Sequence, residues 1–241
     1  MFSAVVCGCF APDFEYFIRL APRGKFGHTL PGLFLFDLPF GLIMLWLFHR
    51  YAKEPLWTWL PEGLRQRTRL GPRTLPLKSP AQAALILVSI FVGSVTHILW
   101  DSFTHPTLWL YHHWRLLSYT VQLPLIGSVQ YYRLIQHAST AIGTIVLLIW
   151  LLRWFRSTTP ADSRDAHHSR ASDRRVLAAL SVVAVVGGTI RAFVGLERAG
   201  DLHTLEIFIA EVVITTISLF WIELVIYGFL RDRTNRHRQF A

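Results

Sequence analysis

Two histidines and an aspartate follow one another at four-residue intervals near the end of a long apolar run. The segment reads THILWDSFTHP over residues 96–106. Positions i, i+4 and i+8 of an α-helix share one face, so His97, Asp101 and His105 are predicted to form a stripe of ring nitrogens and carboxylate oxygens. Such a stripe can bind a metal ion or transfer protons. The other interpretation is a structural polar network, because each polar group in an apolar setting needs a partner.

The apolar run that carries this stripe begins near Ala81 and is long enough to cross a bilayer. The chain of 241 residues is 52% hydrophobic and 16% charged, with a mean hydropathy of +0.38, whereas a soluble domain carries about a quarter charged residues. The predicted spans cover residues 32–49, 81–103, 134–155, 176–196 and 204–230. The predicted fold class is therefore all-α, a polytopic transmembrane helical bundle of about five complete spans plus a short N-terminal apolar helix.

Basic residues concentrate between the predicted spans. The formal net charge is +9, and residues 50–80 hold seven Lys or Arg side chains against two Glu. The positive-inside rule makes this basic loop cytoplasmic, together with a flexible polar linker at 157–174 and the basic tail at 231–241. The positive charge thus faces a membrane surface, so nucleic acid is not expected as a partner. Residues 1–241 are predicted to form a single integral membrane domain.

The predicted loop at 106–133 has a different character from the basic loops. It carries few charges and is rich in aromatic residues, namely Trp109, Tyr111, Trp114, Tyr119, Tyr131 and Tyr132. Aromatic side chains favour the boundary between membrane and water. The predicted orientation makes this loop extracytoplasmic, lying on the membrane surface.

The same orientation brings further acids and histidines to the extracytoplasmic side. Asp13 follows the first apolar segment, His28 precedes the first span, and His137 opens the third span. Asp37 stands two residues before Pro39 inside the first span, and an acid beside a proline break in a membrane helix is a functional candidate. Independent segments that place His and Asp at similar depth are what a shared metal site requires. Imidazole and carboxylate ligands without thiolates suit zinc, manganese or iron, and zinc is the usual ion for hydrolysis.

Several short motifs carry a resemblance to a known family. They are APD at 11–13, GHT at 27–29, FDLP at 36–39, THILWDSFTHP at 96–106 and QH at 136–137. Together they resemble the bacterial membrane-protein family catalogued as domain of unknown function 4184, over nearly the whole chain. The resemblance implies a multi-pass protein of the bacterial inner membrane, with a cytoplasmic C-terminus by the positive-inside rule.

The pattern is also similar, more distantly, to inner-membrane metal-dependent hydrolases that carry Pro-Asp, Thr-His and His-x-x-x-Asp elements. That likeness implies a bound metal ion and phosphoester cleavage, by analogy of fold alone. The family pattern further contains a Ser-His-Pro segment before its first apolar stretch, whereas this sequence starts at Met1 inside that stretch. One ligand histidine is therefore expected to be absent here, through a start site placed too late or through a true loss.

We predict a membrane-embedded, metal-dependent hydrolase that acts at the outer membrane face. The predicted metal ligands are Asp13, His28, His97 and Asp101, and the predicted catalytic residues are Asp37, His105 and His137. A divalent metal, with zinc preferred, would activate water. Asp37 would orient a ligand imidazole or act as a base, while His105 and His137 would be further ligands or proton carriers. The expected partners are membrane lipids and an amphiphilic small molecule, a lipid or a phosphoester.

Two other functions use the same residues. The first is a transporter or channel for protons or metal ions along the His/Asp stripe. Such a path should continue inward, and the cytoplasmic halves of the first three predicted spans carry few ionisable groups. The second is a non-catalytic membrane scaffold in which the polar groups only join helices.

Overall fold

The computed structural model describes residues 1–68, 75, 79–106, 108–124, 127–160, 171–196 and 204–239. In chain order the elements are α1 (Phe2–Phe10), α2 (Phe14–Arg19), α3 (Leu30–Gly32), α4 (Leu38–Leu47), α5 (Lys53–Trp59), α6 (Glu62–Arg65), α7 (Pro80–Thr104), α8 (Trp109–His113), α9 (Arg115–Ser118), β1 (Thr120–Leu123), β2 (Gly127–Gln130), α10 (Tyr131–Ser157), α11 (Ala171–Leu196) and α12 (Thr204–Gln239). A 3-10 turn, Ala11–Asp13, joins α1 to α2, and two π-helical turns, Leu33–Asp37 and Phe48–Ala52, join α3, α4 and α5 into one helical stretch.

The predicted all-α architecture is confirmed. Five helical stretches are long and apolar enough to cross a membrane, namely Leu30–Trp59, Pro80–Thr104, Tyr131–Ser157, Asp173–Gly195 and Ile207–Asn235. Large apolar side chains such as Leu147 and Val182 are exposed on these helices, as expected of surfaces that face lipid. Length and composition therefore indicate a membrane protein.

The elements between the spans differ from the predicted loops. The first span runs on to Trp59, because the π turn Phe48–Ala52 continues the helix into the predicted basic loop at 50–80. The predicted aromatic loop at 106–133 contains α8, α9 and an antiparallel hairpin that pairs Thr120 with Gln130. Residues 161–170 of the predicted linker at 157–174 lie outside the described residues.

The chain divides into two compact units, which we describe one at a time. The first comprises residues 1–94 and 161–241, and the second comprises residues 95–160. The division falls between Ser94 and Val95, inside the continuous helix α7.

Close backbone contact joins α1 to the first part of α7 within the first unit. A Cβ atom on Gly8 would overlap the carbonyl of Ile90, and one on Gly93 would overlap the carbonyl of Val5. The Ser94 hydroxyl donates a hydrogen bond of 3.1 Å to the Gly8 carbonyl. The neighbouring core consists of Ala4, Leu45, Ile86 and Ile90. Glycine at these positions lets the two helices approach as small residues do in membrane bundles.

A second core in the same unit joins α11, α12 and the end of the first span. Its buried residues are Ala52, Leu177 and Leu224. Gly228 lies against the Tyr51 carbonyl, where a Cβ atom would not fit. This contact brings charged side chains from three helices together.

Those side chains form what we call the ion-pair cluster, which consists of Arg50, Glu54, Asp173, Arg231 and Asp232. Arg50 binds the Asp232 carboxylate through both terminal nitrogens, one of them at 3.1 Å. Arg231 lies 3.4 Å from a Glu54 oxygen and 3.3 Å from an Asp173 oxygen. The hydroxyl of Tyr227 also donates to Asp173, at 2.8 Å. The cluster fixes the ends of three helices with paired opposite charges.

The second unit contains the end of α7, the short helices α8 and α9, the β1–β2 hairpin and α10. Leu117 and Tyr132 are buried, whereas Trp109, Trp114 and Tyr119 are exposed. Exposed aromatic rings of this kind suit a membrane boundary, as the sequence predicts for this segment.

Candidate metal centre

The first half of the site is a carboxylate and an imidazole within the first unit. Asp13 ends the 3-10 turn that starts with the buried residues Ala11 and Pro12, and His28 lies in the loop between α2 and α3. The distance from His28 Nε2 to Asp13 Oδ1 is 3.6 Å, and the imidazole side chain is only 7% exposed. The His28 ring also stacks on Tyr16, with the ring centroids 6.0 Å apart. The loop therefore holds this imidazole in one orientation beside the acid.

Glu15 fixes the loop that carries His28. Its Oε2 accepts hydrogen bonds from the backbone amides of Phe26 and Gly27, at 2.7 and 3.3 Å, and Arg19 contacts its other oxygen at 3.2 Å. Burial raises the pKa of the Glu15 carboxyl, but the two amides and the Arg19 guanidinium together outweigh burial, so its pKa lies below the ordinary value. The buried carboxylate is therefore held in its charged form, next to the metal-ligand candidates.

Close approach of the loop to the 3-10 turn depends on Gly27. A Cβ atom at this position would lie 2.5 Å from the Pro12 carbonyl oxygen. Only glycine lacks that atom, so the chain can pass the turn closely enough to place His28 beside Asp13.

The second half of the site is the stripe on α7. His97 Nε2 lies 3.2 Å from Asp101 Oδ2, and His105 Nδ1 lies 3.7 Å from the same oxygen. The three residues therefore share one helix face, as their spacing predicts. His97 and Asp101 are largely buried, whereas His105 follows the last helical residue and its side chain is 45% exposed. His105 Nδ1 also lies 3.2 Å from the Thr104 hydroxyl.

Four side chains form a His/Asp group that could hold a metal ion. One ligand atom from each lies within 4.8 Å of the others, and the members are Asp13, His28, His97 and Asp101. His97 and Asp101 belong to the helix whose Gly93 and Ser94 pack on α1. Two imidazoles and two carboxylates form a donor set that suits several divalent ions, and it does not by itself select zinc.

The remaining predicted site residues lie outside this group. Asp37 is fully buried in the π turn Leu33–Asp37, and that turn packs against the 3-10 turn Ala11–Asp13. His137 is exposed on α10. The catalytic roles of these two residues and of His105 stay predictions.

Sequence reasoning overlooked Glu15 as a supporting residue. No spacing rule links it to the amides it binds, because those amides lie 11 and 12 positions later in an irregular loop. The one available signal is its position two residues after Asp13, in a segment of otherwise apolar and basic character.

Comparison with known proteins leads to a single family. No curated protein and no solved structure matches the chain, so the more distant likeness to hydrolases finds no support there. Residues 1–229 match the model of the family described as "Domain of unknown function (DUF4184)". Because this match spans nearly the whole sequence, the chain belongs to that family.

Proposed function

We propose that the protein is a metal-dependent hydrolase whose metal ion is bound by Asp13, His28, His97 and Asp101. The observation that carries the proposal is the approach of four ligand atoms to within 4.8 Å of one another. Two imidazoles and two carboxylates brought together in a largely apolar helical protein are costly unless they are paired, and a shared metal ion would pair all four at once.

The residues around the group fit this role. Each imidazole lies beside a carboxylate, at 3.6 Å for His28 and 3.2 Å for His97, and such neighbours set the tautomer and orientation of ligand histidines. A bound divalent ion would supply Lewis-acid activation of water. His105 is the most exposed member of the stripe, which suits a group that exchanges protons with solvent or substrate.

The finer parts of the proposal concern the ion, the membrane and the substrate. Zinc is the ion we propose, because it takes nitrogen and oxygen ligands and serves hydrolysis. The membrane is the bacterial inner membrane, with the C-terminus cytoplasmic and the metal centre at the outer face. The substrate is amphiphilic, a lipid or phosphoester, which would enter from the bilayer past the exposed Trp109 and Trp114.

The direct test is the metal content of the full chain purified in a neutral detergent. After equilibration with zinc or manganese and removal of excess ion, elemental mass spectrometry should find about one ion per chain. His97→Ala and Asp101→Ala should lose that ion. His112→Ala is the matched control, because this imidazole is exposed and lies outside the group. Near-zero metal in the parent chain would rule out the proposed centre.

A second measurement separates a hydrolase from a metal site of another kind. The metal-loaded chain is assayed with phosphodiester lipids and with carboxylester lipids in mixed micelles. We expect the protein to hydrolyse one of these classes, and a chelator should abolish that hydrolysis. Metal binding without turnover of any ester would contradict hydrolysis.

The scaffold alternative has an observation of its own. The His97–Asp101 contact of 3.2 Å on one helix already partners each group with the other. If the scaffold is correct, His97→Ala lowers the thermal unfolding midpoint equally with and without added metal. If the hydrolase is correct, only the parent chain and the His112→Ala control gain stability from metal, because binding to the folded state raises the midpoint.

A further inference from the structure

A buried cation lies just beyond the first span. Arg65 ends α6 and is 6% exposed. Its Nε and Nη1 atoms are fully buried and have no hydrogen-bond partner among the residues that the structure describes. Burial of a guanidinium without an acceptor is strongly unfavourable, since its donors lose water and gain nothing in return.

The local backbone is already engaged. The carbonyl oxygens of residues 61–65 all accept hydrogen bonds from backbone amides or from the side chains of Arg67 and Thr68. The indole of Trp57 donates to the Thr68 hydroxyl at 3.1 Å, and the Arg65 guanidinium lies 5.8 Å from the centroid of the same indole. The segment is therefore a closed turn folded on Trp57, and the indole ring is the contact that the structure gives the guanidinium.

Among the residues that the structure describes, no acid forms an ion pair with this guanidinium. Glu54 pairs with Arg231 at 3.4 Å, and the exposed Glu62 accepts from Gln66 at 3.1 Å. Residues 63–100 contain no Asp or Glu, although they contain five Lys or Arg side chains. The residues of this loop outside the described ranges therefore contain no carboxylate either, so this loop does not supply an anion for Arg65.

We propose that Arg65 is the centre of a phosphate-binding site, whose natural ligand is the phosphate of an anionic phospholipid headgroup. The first span ends at Trp59, so Arg65 follows it at the depth where headgroups lie. The fork of guanidinium donors matches two oxygens of a phosphate. Free phosphate has the same oxyanion chemistry, and the experiment distinguishes it from the lipid.

The first arm uses the unmodified full chain in neutral detergent. Its thermal unfolding midpoint is compared in micelles doped with phosphatidylglycerol, in micelles doped with a phosphate-free glucosyl diacylglycerol, and with inorganic phosphate at constant ionic strength. Phosphatidylglycerol should raise the midpoint, and the glycolipid should not. An equal rise with inorganic phosphate assigns the site to a soluble phosphate. The proposal is overturned if the two lipids give the same unfolding midpoint and inorganic phosphate does not raise it.

The second arm isolates Arg65 from the general attraction of a basic protein for anionic lipid. Arg65→Gln should weaken the apparent dissociation constant for phosphatidylglycerol by at least about tenfold, the loss expected for a charge-assisted pair. Arg174→Gln is the matched control, because it removes the same charge from an exposed position at the start of α11, and it should change the constant by less than about twofold.

Equal weakening in both variants overturns the proposal, since it would reflect net charge alone. Arg65→Lys keeps the positive charge and loses the paired donors of the guanidinium. Its dissociation constant for phosphatidylglycerol should lie between those of the parent chain and Arg65→Gln. If Arg65→Gln does not fold, the comparison of Arg65→Lys with Arg174→Gln and the lipid comparison on the unmodified chain decide the matter.

Discussion

The ion-pair cluster and the His/Asp group both contain carboxylates, but the carboxylates have different partners in the two groups. In the cluster, guanidinium groups meet the carboxylates of Glu54, Asp173 and Asp232. At the other site, the structure places imidazoles beside Asp13 and Asp101. A guanidinium stays charged and cancels a carboxylate permanently, whereas a neutral imidazole leaves the negative charge available. The difference indicates that one group of acids stabilises helix contacts and the other is suited to receive a cation.

The largest expected effect comes from neutralising an acid of the His/Asp group. Asp101→Asn should lower metal affinity at least about 100-fold, because an amide replaces a charged ligand. In the presence of chelator its stability should stay close to that of the parent chain. The measurements are metal titration by calorimetry and thermal unfolding with and without metal. Unchanged metal affinity would remove the distinction between the two sites.

The same change within the ion-pair cluster should act on stability instead. Asp232→Asn leaves the Arg50 guanidinium without its bidentate partner, and both side chains are less than 20% exposed. We expect the free energy of unfolding to fall by about 2 kcal/mol, somewhat less than for fully buried pairs. Metal affinity should not change. A loss of metal in this variant would show that the two sites are not independent.

A smaller effect is expected from Glu15. Its carboxylate holds the loop that carries His28 through the Phe26 and Gly27 amides, so it acts on the metal ligands indirectly. Glu15→Gln weakens the acceptor for the Phe26 and Gly27 amides, and metal affinity should fall about tenfold, as for other residues that orient metal ligands. Glu62→Gln is the matched control, since Glu62 is exposed and its carboxylate accepts a hydrogen bond from Gln66 outside the His/Asp group. Equal metal affinity in the two variants would contradict the positioning role.

The smallest effect is expected at Gly27. Gly27→Ala forces the loop away from the Pro12 carbonyl, and we expect metal affinity to fall severalfold with little loss of helical structure. Gly143→Ala serves as the control, because a Cβ atom there meets nothing within 4 Å. Metal affinity is measured by titration of both variants. An unchanged affinity in Gly27→Ala would show that the loop tolerates displacement.

The parts of this fold that the sequence predicts are those set by local periodicity. Apolar runs predict the five long helices, and four-residue spacing predicts the shared face of His97, Asp101 and His105, because both follow from helix geometry. The β-hairpin in the aromatic segment was not predicted. Its signals were the β-branched Thr120 and Val121 and the glycine Gly127, which adopts φ +83° at the turn.

Contacts between distant segments set the rest of the site. The predicted meeting of Asp13 and His28 with the stripe rested on membrane orientation alone. In the structure, His28 is held beside Asp13 by the close approach of its own loop to the 3-10 turn. Pairing of Glu15 with two amides of an irregular loop leaves no periodic signal in the sequence. The first span likewise continues through a π turn to Trp59, where it packs against α11 and α12, and such contacts between distant segments are not visible in the local sequence.

The glycine contact between α1 and α7 has a consequence for biosynthesis. Gly8 and Ser94 are separated by 86 positions in the chain, so the N-terminal helix emerges from the ribosome long before its partner. Until the second span is inserted, that apolar helix has no docking surface on α7, and long-range closure of this kind is slow. Insertion of the second span is therefore the event that gives α1 its docking surface.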